Sequence, residues 1–228
     1  MDRRQFALFA AAAGALTRPD LLFAAGPPDT WDGLVRVPSR RLNFVFLLPG
    51  ADFSGYHKVM LDPTEVAFDR NWQRDYNNSQ RALTRRITAS DIEAAITQGQ
   101  QAGHETFTRA LTAGGWAVVT APGEDVLRVR PGIINVRLSA PAKLTAGRSR
   151  TYAGEAGSAT LLLEARDSVT DALLGRAVDA RVAGDTSSLM MPRTTTTNRA
   201  DFQALMNDWA RRGVDGLNEL KARSPIAA

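Results

Sequence analysis

The chain has 228 residues, of which 44% are apolar and 23% are charged, and it contains no cysteine. This composition is typical of a folded globular protein and is too rich in apolar residues for a disordered chain. The absence of cysteine excludes a disulfide framework, a thiol nucleophile, cysteine-ligated zinc and an iron–sulfur cluster. The formal net charge of +4 is too small an excess to indicate a nucleic-acid-binding protein.

The start of the chain has the pattern of an export signal. Paired arginines, Arg3 and Arg4, are followed by Phe6 and by an apolar run rich in Ala and Gly, which resembles a twin-arginine signal. The run is shorter than the ~20 residues that span a bilayer. We therefore predict a twin-arginine-type signal peptide over residues 1–26, read through Arg3, Arg4 and Phe6 and cleaved near the small residues at its end.

Two alternatives for this segment stay open: an N-terminal helix of the domain, and a membrane anchor that is retained. The first is disfavoured because an apolar stripe with polar spacers is absent. No later apolar run approaches membrane-spanning length. We expect a periplasmic protein with no stable membrane span after the signal is cleaved.

The rest of the chain predicts a flexible lead-in over residues 27–41, rich in Pro and Gly, and then one α/β domain over residues 42–222. The first part of the domain indicates a strand, a helix and a second strand, an order that favours a parallel pair. The strands are expected at 56–63 and 116–119. Between them, Ser90 and Glu93 form a capping-box pattern that opens a long helix, and Gly114-Gly115 ends it.

The second part of the domain predicts antiparallel strands. Apolar stretches at 126–130 and 133–140 are separated by Pro131-Gly132, which indicates a bend or bulge. Alternating stretches at 159–165 and 176–183 flank the turn residues around Asp167 and form a hairpin. The chain then ends in an apolar helix over 202–220, where Gly213 and Gly216 permit close packing or a break. The expected fold is a mixed sheet of about five strands, with the long helix and the C-terminal helix packed on it.

Several segments, in this order, resemble a bacterial envelope family known as domain of unknown function 3313, whose members are mostly regarded as lipoproteins. The resemblance spans roughly residues 45–220. The segments that carry it are Ala51-Asp52-Phe53-Ser54-Gly55-Tyr56, Val59-Met60-Leu61-Asp62-Pro63, Val66-Ala67-Phe68, Pro122-Gly123, Val126-Leu127-Arg128-Val129-Arg130, Ala159-Thr160, Leu163-Glu164-Ala165, Asp167-Ser168, Ala177-Val178-Asp179 and Trp209-Ala210.

The chain departs from this family in two ways. It has no lipobox cysteine, so we expect no lipid anchor, and Thr170-Asp171 stands where a Thr-Gly pair is more typical. The resemblance supports the fold and the cell envelope as the compartment. It implies no catalytic residues, because the activity of the family is unknown.

The sequence offers few residues for catalysis. The two histidines, His57 and His104, stand in unrelated segments, and neither has the spacing of a zinc motif. The carboxylates Asp62, Glu65 and Asp69 allow a hydrolase reading, but Asp62 is better explained as the residue that orders an Asp-Pro turn, with the other two solvated. We predict no catalytic residue, no cofactor-binding residue and no metal ligand.

Three functional readings follow. The leading one is a non-enzymatic exported protein that binds a partner, expected to be another envelope protein and not a nucleic acid. The second is a periplasmic carrier that holds a small apolar ligand between the sheet and the terminal helix. The third is a hydrolase.

The polar segment that holds Trp72 and Tyr76 either marks a contact surface or packs inside, and packing is favoured. Several arginines stand out in the sequence, but they are scattered and have no aromatic residues between them, so they do not indicate a nucleic-acid groove. They are Arg85-Arg86, Arg148, Arg150 and Arg211-Arg212. The oligomeric state is left undetermined.

Overall fold

A computed structural model describes residues 28–80, 86–139, 151–153, 156–184, 191–193 and 195–227. Within these residues it contains eleven strands and three helices. The strands are β1 (Thr30–Trp31), β2 (Leu34–Val37), β3 (Phe44–Leu47), β4 (Lys58–Leu61), β5 (Glu65–Phe68), β6 (Ala117–Val119), β7 (Val126–Leu138), β8 (Thr151–Ala153), β9 (Gly157–Asp167), β10 (Leu173–Ala183) and β11 (Met191–Arg193). The helices are α1 (Trp72–Ser79), α2 (Ala89–Ala113) and α3 (Thr195–Arg223).

Nine of the strands form one mixed sheet in the order β1-β2-β3-β10-β9-β7-β4-β6, with β5 also paired to β7. Strand β4 lies parallel to both β6 and β7, and β5 is parallel to β7. All the other pairs in this sheet are antiparallel. The predicted parallel pair and the predicted β9–β10 hairpin are both present, and α2 is the helix that connects β4 and β5 to β6.

The sheet is larger than the sequence prediction of about five strands. The apolar run at 42–48 and the segment at 65–68, whose sequences allow short strands, contain β3 and β5. The strands that the sequence did not predict are β1 and β2, which are two and four residues long and too short to show an alternating pattern. Both fall inside the segment predicted as a flexible lead-in, and Leu34 there is completely buried. The sheet therefore begins before residue 42.

Strand β7 runs unbroken where the sequence predicted a bend at Pro131-Gly132. Its neighbour β4 stops at Leu61, opposite Val129, and β5 starts opposite Gly132. Pro131 therefore lies where one parallel neighbour has ended and the next begins, a place where a missing backbone N–H costs little. The irregularity in β7 comes later, between Ile134 and Arg137.

The long helix also begins differently from the prediction. Its N-cap is Thr88, whose side chain accepts a hydrogen bond from the Asp91 backbone N–H, while the Asp91 carboxylate accepts one from the Thr88 backbone N–H. The capping box thus uses Thr88 and Asp91 instead of Ser90 and Glu93. Asp was missed because the usual pattern has Glu or Gln at the third position. The helix ends at the expected glycine, Gly114.

Helices α2 and α3 contact each other and pack on the same face of the sheet. The core between them and the sheet is apolar, and its fully buried members include Val59, Leu127 and Leu161. Trp209 anchors α3 in this core with only 1% of its surface exposed. None of the described helices is long and apolar enough to cross a membrane.

Candidate functional site

A cavity of about 1150 Å³ lies between the sheet and the C-terminal half of α3. Typical small-molecule sites have volumes of roughly 300–1,000 Å³, so a ligand with a long chain fits here. Strands β3, β7, β9 and β10 form an apolar floor. Its side chains are Val45, Leu47, Val129, Leu163, Ala165 and Ala177.

The wall that α3 contributes to the cavity contains two glycines, together with Leu217 and Leu220. Trp209 fills the space between the helix and the sheet, whereas one and two turns later the helix carries Gly213 and Gly216. A methyl group built on Gly213 would lie 3.0 Å from the Leu163 Cδ1 atom, but one built on Gly216 would meet no atom within 4 Å. Gly213 therefore allows close packing, and Gly216 leaves open space beside the cavity.

The rim of the cavity is basic. It carries five arginines, Arg40, Arg41, Arg211, Arg212 and Arg223, and two carboxylates, Asp215 and Glu219. The side chains of Glu164 and Arg176, from the same strands, pair with each other on the opposite face of the sheet and add no charge to the rim. The lining thus has an excess of three positive charges.

Part of the rim is held in place by ion pairs between α3 and the segment before β3. Arg41 lies 3.3 Å from the Asp215 carboxylate and 3.2 Å from the Glu219 carboxylate. Arg212 donates hydrogen bonds to Asp208 and to the backbone carbonyl of Arg41. These contacts attach the wall formed by residues 38–42 to the helix, so the mouth has a defined shape.

The opposite face of the same strands carries a second feature, a row of ion pairs. The row runs across β7, β9 and β10, and continues into neighbouring turns. Its arginines are Arg128, Arg130, Arg166 and Arg176, and its carboxylates are Asp32, Asp62, Glu164 and Asp171. We call these eight residues the charged row. Because successive side chains of a strand point to opposite faces, the strands that provide the apolar floor also provide this row.

The centre of the charged row is buried. The side chains of Arg176 and Glu164 are 4% and 11% exposed, and their closest atoms are 2.6 Å apart. The Arg176 guanidinium also lies 4.1 Å from the centre of the Trp31 ring, a cation–π arrangement. Burial opposes ionisation of Glu164, but hydrogen bonds and charges from Arg176 and Arg166 outweigh it and hold the pKa of Glu164 below its ordinary value.

The predicted carboxylate cluster does not converge. Asp62 accepts hydrogen bonds from Arg128 and Arg130 and does not act mainly through its own turn, as the sequence had suggested. Glu65 is exposed on β5, and Asp69 accepts a hydrogen bond from the Asn71 backbone N–H. These carboxylates face different partners, so they do not form the pair that a glycoside hydrolase needs.

The two histidines stand apart on the molecule. His57 is exposed just before β4, with its Nδ1 atom 2.8 Å from the Lys221 Nζ atom. His104 is exposed on α2, and its side chain makes no hydrogen bond or ion pair with another described residue. Within the described part of the chain, no group of three or more His, Asp or Glu side chains is placed to hold a metal ion.

Trp72 belongs to the packed interior, as favoured from the sequence, whereas Tyr76 is half-buried beside it with ring centres 5.8 Å apart. Trp72 is 5% exposed, stacks on Phe68 with ring centres 4.9 Å apart, and donates a hydrogen bond to the Leu138 carbonyl. Both aromatic residues lie on helix α1.

Of the basic points of the sequence, the structure describes Arg86 and Arg211-Arg212. Arg211 and Arg212 both contact Asp208, and Arg86 is exposed elsewhere. Arg85, Arg148 and Arg150 lie outside the described residues, as do Arg3, Arg4 and Phe6 of the predicted export signal.

Neither the charged row nor the cavity rim is predictable from local patterns in the sequence. The row draws on residues more than a hundred positions apart, such as Asp32 and Arg176, which only the strand order brings together. One signal was available: arginines alternate with apolar residues in β7, where Arg128 and Arg130 flank Val129. This pattern indicates a strand with a charged face.

A family model matches residues 31–212 of the chain and is described as a protein of unknown function, DUF3313. The chain belongs to this family. The match confirms the family resemblance seen in the sequence. Among curated protein sequences, none matches the chain.

Solved structures with a similar arrangement are distant. The PelC dodecamer from Paraburkholderia phytofirmans shares 13% identity at a TM-score of 0.30, over 72% of this chain and 95% of that one. A DUF330 protein from Xanthomonas campestris shares 11% identity at a TM-score of 0.36, over 77% of this chain and 91% of that one. A homolog of neuraminyllactose-binding hemagglutinin from Helicobacter pylori shares 11% identity at a TM-score of 0.28, over 78% of this chain and 87% of that one. These similarities are too remote to indicate a function.

Proposed function

We propose that this member of the DUF3313 family is a non-enzymatic binding protein that holds a ligand with an apolar chain between the sheet and α3. The observation that carries the proposal is the cavity above the apolar floor, opened at Gly216. Binding a partner protein at the surface does not require a cavity inside the fold. The second functional reading, a carrier, is therefore preferred to the first.

The energetics of the cavity favour an apolar chain. Water above a floor of Val, Leu and Ala side chains finds few hydrogen-bond partners, so replacing it with hydrocarbon is favourable. Each methylene group buried contributes about 0.8 kcal/mol. Affinity should therefore rise about tenfold for every two carbons added to the chain, until the cavity is full.

The test is calorimetric titration with alkyl compounds of eight, ten and twelve carbons, using the wild type and Gly216→Leu. The leucine side chain enters open space, so the variant should fold and yet bind at least tenfold more weakly. Gly55→Leu is the matched control, because Gly55 also has no atom within 4 Å of an added methyl group and does not line the cavity. Binding that is independent of chain length, or unchanged in Gly216→Leu, would contradict the proposal.

Partner binding is the second candidate, and the charged row supports it. The large exposed apolar residues of the described chain, Val35, Val169 and Val182, are scattered, so a partner would meet mainly polar side chains. Another envelope protein is the expected partner. Replacing Arg128 and Arg130 with Gln should then weaken cross-linking to that partner, whereas Arg137→Gln on the same strand should not. Equal cross-linking of all three proteins would count against this face.

The proposed location is the periplasm, with export through the twin-arginine route. The support is the sequence of the first residues, Arg3-Arg4 followed by Phe6 and an apolar run. The absence of a nucleophile motif in the sequence and the separation of the two histidines support the proposal that the protein is not an enzyme.

A further inference from the structure

We infer that the ligand of this cavity carries an anionic head group, which Arg40 and Arg223 bind at the mouth. The inference rests on the proposed function, since it names the chemical class of the ligand in the same site. The class is an amphiphile with one apolar chain and a carboxylate or phosphate head. The head would lie at the rim while the chain covers the floor.

The distribution of charge carries this inference. The floor strands turn only apolar side chains towards α3 in this region, whereas the rim has five arginines against two carboxylates. Such an excess of one sign at the entrance of an apolar cavity raises the local concentration of ligands of the opposite charge. The excess of positive charge would not attract a fully apolar ligand, and it would repel a cationic head group.

Three of the five rim arginines are already engaged within the protein. Arg41 pairs with Asp215 and Glu219, and Arg211 and Arg212 pair with Asp208. Breaking the contacts of Arg41 and Arg212 would loosen the wall of the cavity, because they join α3 to residues 38–42. Arg41 and Arg212 therefore shape the mouth and are poor candidates for binding the head group, and Arg211 is already paired with Asp208 within its own helix.

Arg40 and Arg223 are the arginines that remain. Arg40 is exposed and makes no hydrogen bond or ion pair with the described residues. Arg223 contacts Glu219, but its side chain is 74% exposed. Glu219 is shared with Arg41, so one carboxylate faces two guanidinium groups. A guanidinium group binds carboxylate and phosphate oxygens through two parallel hydrogen bonds, which suits the heads named above.

The experiment compares four probes with the same twelve-carbon chain, each below its micelle concentration: dodecanoate, dodecyl phosphate, dodecyl maltoside and dodecyltrimethylammonium. Calorimetric titration of the wild type should show both anions binding at least tenfold more tightly than the cation, with the neutral probe between them. The ratio of the dodecanoate to the dodecyl phosphate affinity identifies the preferred head.

The same titrations are repeated with the double variant Arg40→Gln/Arg223→Gln. Each exposed charge contact is worth about a threefold change, so the preference for anions should fall about tenfold while binding of dodecyl maltoside stays constant. Arg74→Gln is the control, because Arg74 is exposed on α1 and does not line the cavity. This variant should keep the preference.

The outcomes separate the two proposals. If all four probes bind equally, the anionic head group is overturned while the apolar cavity stands. If none binds, the proposed function fails and the inference fails with it. If the wild type and the double variant prefer the anionic probes to the same extent, Arg40 and Arg223 do not bind the head group. The inference is then overturned as stated.

Discussion

The indole Nε1 of Trp209 donates a hydrogen bond of 2.8 Å to the carboxylate of Asp179, which is completely buried. The same carboxylate accepts hydrogen bonds from the Asn43 backbone N–H and from Arg181. One side chain on β10 thus joins α3 to the segment that enters β3. The position of α3 over the sheet, and with it the height of the cavity, depends on this contact.

Removing the carboxylate should be more damaging than removing its indole partner. Trp209→Phe keeps an aromatic ring and loses one hydrogen bond, so we expect the free energy of unfolding to fall by about 1–2 kcal/mol. Asp179→Ala leaves three donors without their acceptor and should cost about 3 kcal/mol or more. Urea unfolding of both variants measures the difference. Equal losses would mean that Asp179 acts only through Trp209.

The start of α2 offers a test of the observed cap. Thr88→Ala removes the side-chain acceptor of the capping box and should lower the free energy of unfolding by about 1 kcal/mol. Ser90→Ala, two residues later, should change it by less than about 0.5 kcal/mol. Thermal or urea unfolding distinguishes the two, and a larger effect at Ser90 would show that the helix begins there.

Two glycines of α3 should respond oppositely to the same change. Gly216→Ala adds a methyl group in open space and improves helix propensity, so it should raise the free energy of unfolding by up to about 1 kcal/mol. Gly213→Ala must displace the end of Leu163, 3.0 Å away, and should gain less or lose stability. The melting temperatures rank the two variants by stability, because a change of 1 kcal/mol in the free energy of unfolding shifts the melting temperature by about 2–4 °C. Greater stability for Gly213→Ala would contradict the close packing seen there.

The charged row should make stability depend on pH. The pKa of Glu164 is lowered in the folded protein. Such a carboxyl stabilises the fold above its ordinary, unfolded pKa and loses this effect as the pH falls through its folded pKa. The difference in unfolding free energy between the wild type and Glu164→Gln should therefore be largest near pH 7 and should shrink below about pH 4. Glu93→Gln, exposed on α2, is the control. A difference that stays constant down to pH 3 would exclude this role.

Export can be tested independently of the fold. Replacing Arg3 and Arg4 by Lys keeps the charge but removes the pair that the twin-arginine translocase reads, so the double variant should accumulate in the cytoplasm. Arg18→Lys serves as the control and should be exported normally. Cell fractionation followed by immunoblotting gives the answer. Normal periplasmic delivery of the double variant would refute the predicted route.

Much of this fold is predictable because long segments carry a clear period. The hairpin β9–β10 and the helix before Gly114 follow directly from alternating or helically spaced apolar residues. The short strands do not: β2 has four residues, and it is a strand only because β1 and β3 pair with it. Its inclusion in the sheet depends on tertiary pairing, which a local pattern does not contain.

The site was predictable only in outline. A ligand between the sheet and the terminal helix was one of the sequence-based readings, and Gly213 and Gly216 marked the relevant part of the helix. Which of the two glycines packs and which opens space depends on the position of Leu163 across the gap. The basic rim combines Arg40, near the start of the domain, with Arg223, near its end, and no sequence spacing relates them.

The strand order also affects the sequence of events during synthesis. Of the described strands, the ribosome makes β1, β2 and β3 first, yet β3 joins the rest of the sheet by pairing with β10, for example Val45 with Ala177. The backbone of Ile226 then pairs with Ala51, beside β3. The earliest strands can therefore pair with the rest of the sheet only after most of the chain has been synthesised. Closing so long a loop slows folding. Until then their edges are unpaired, which makes the nascent chain a natural client for chaperones.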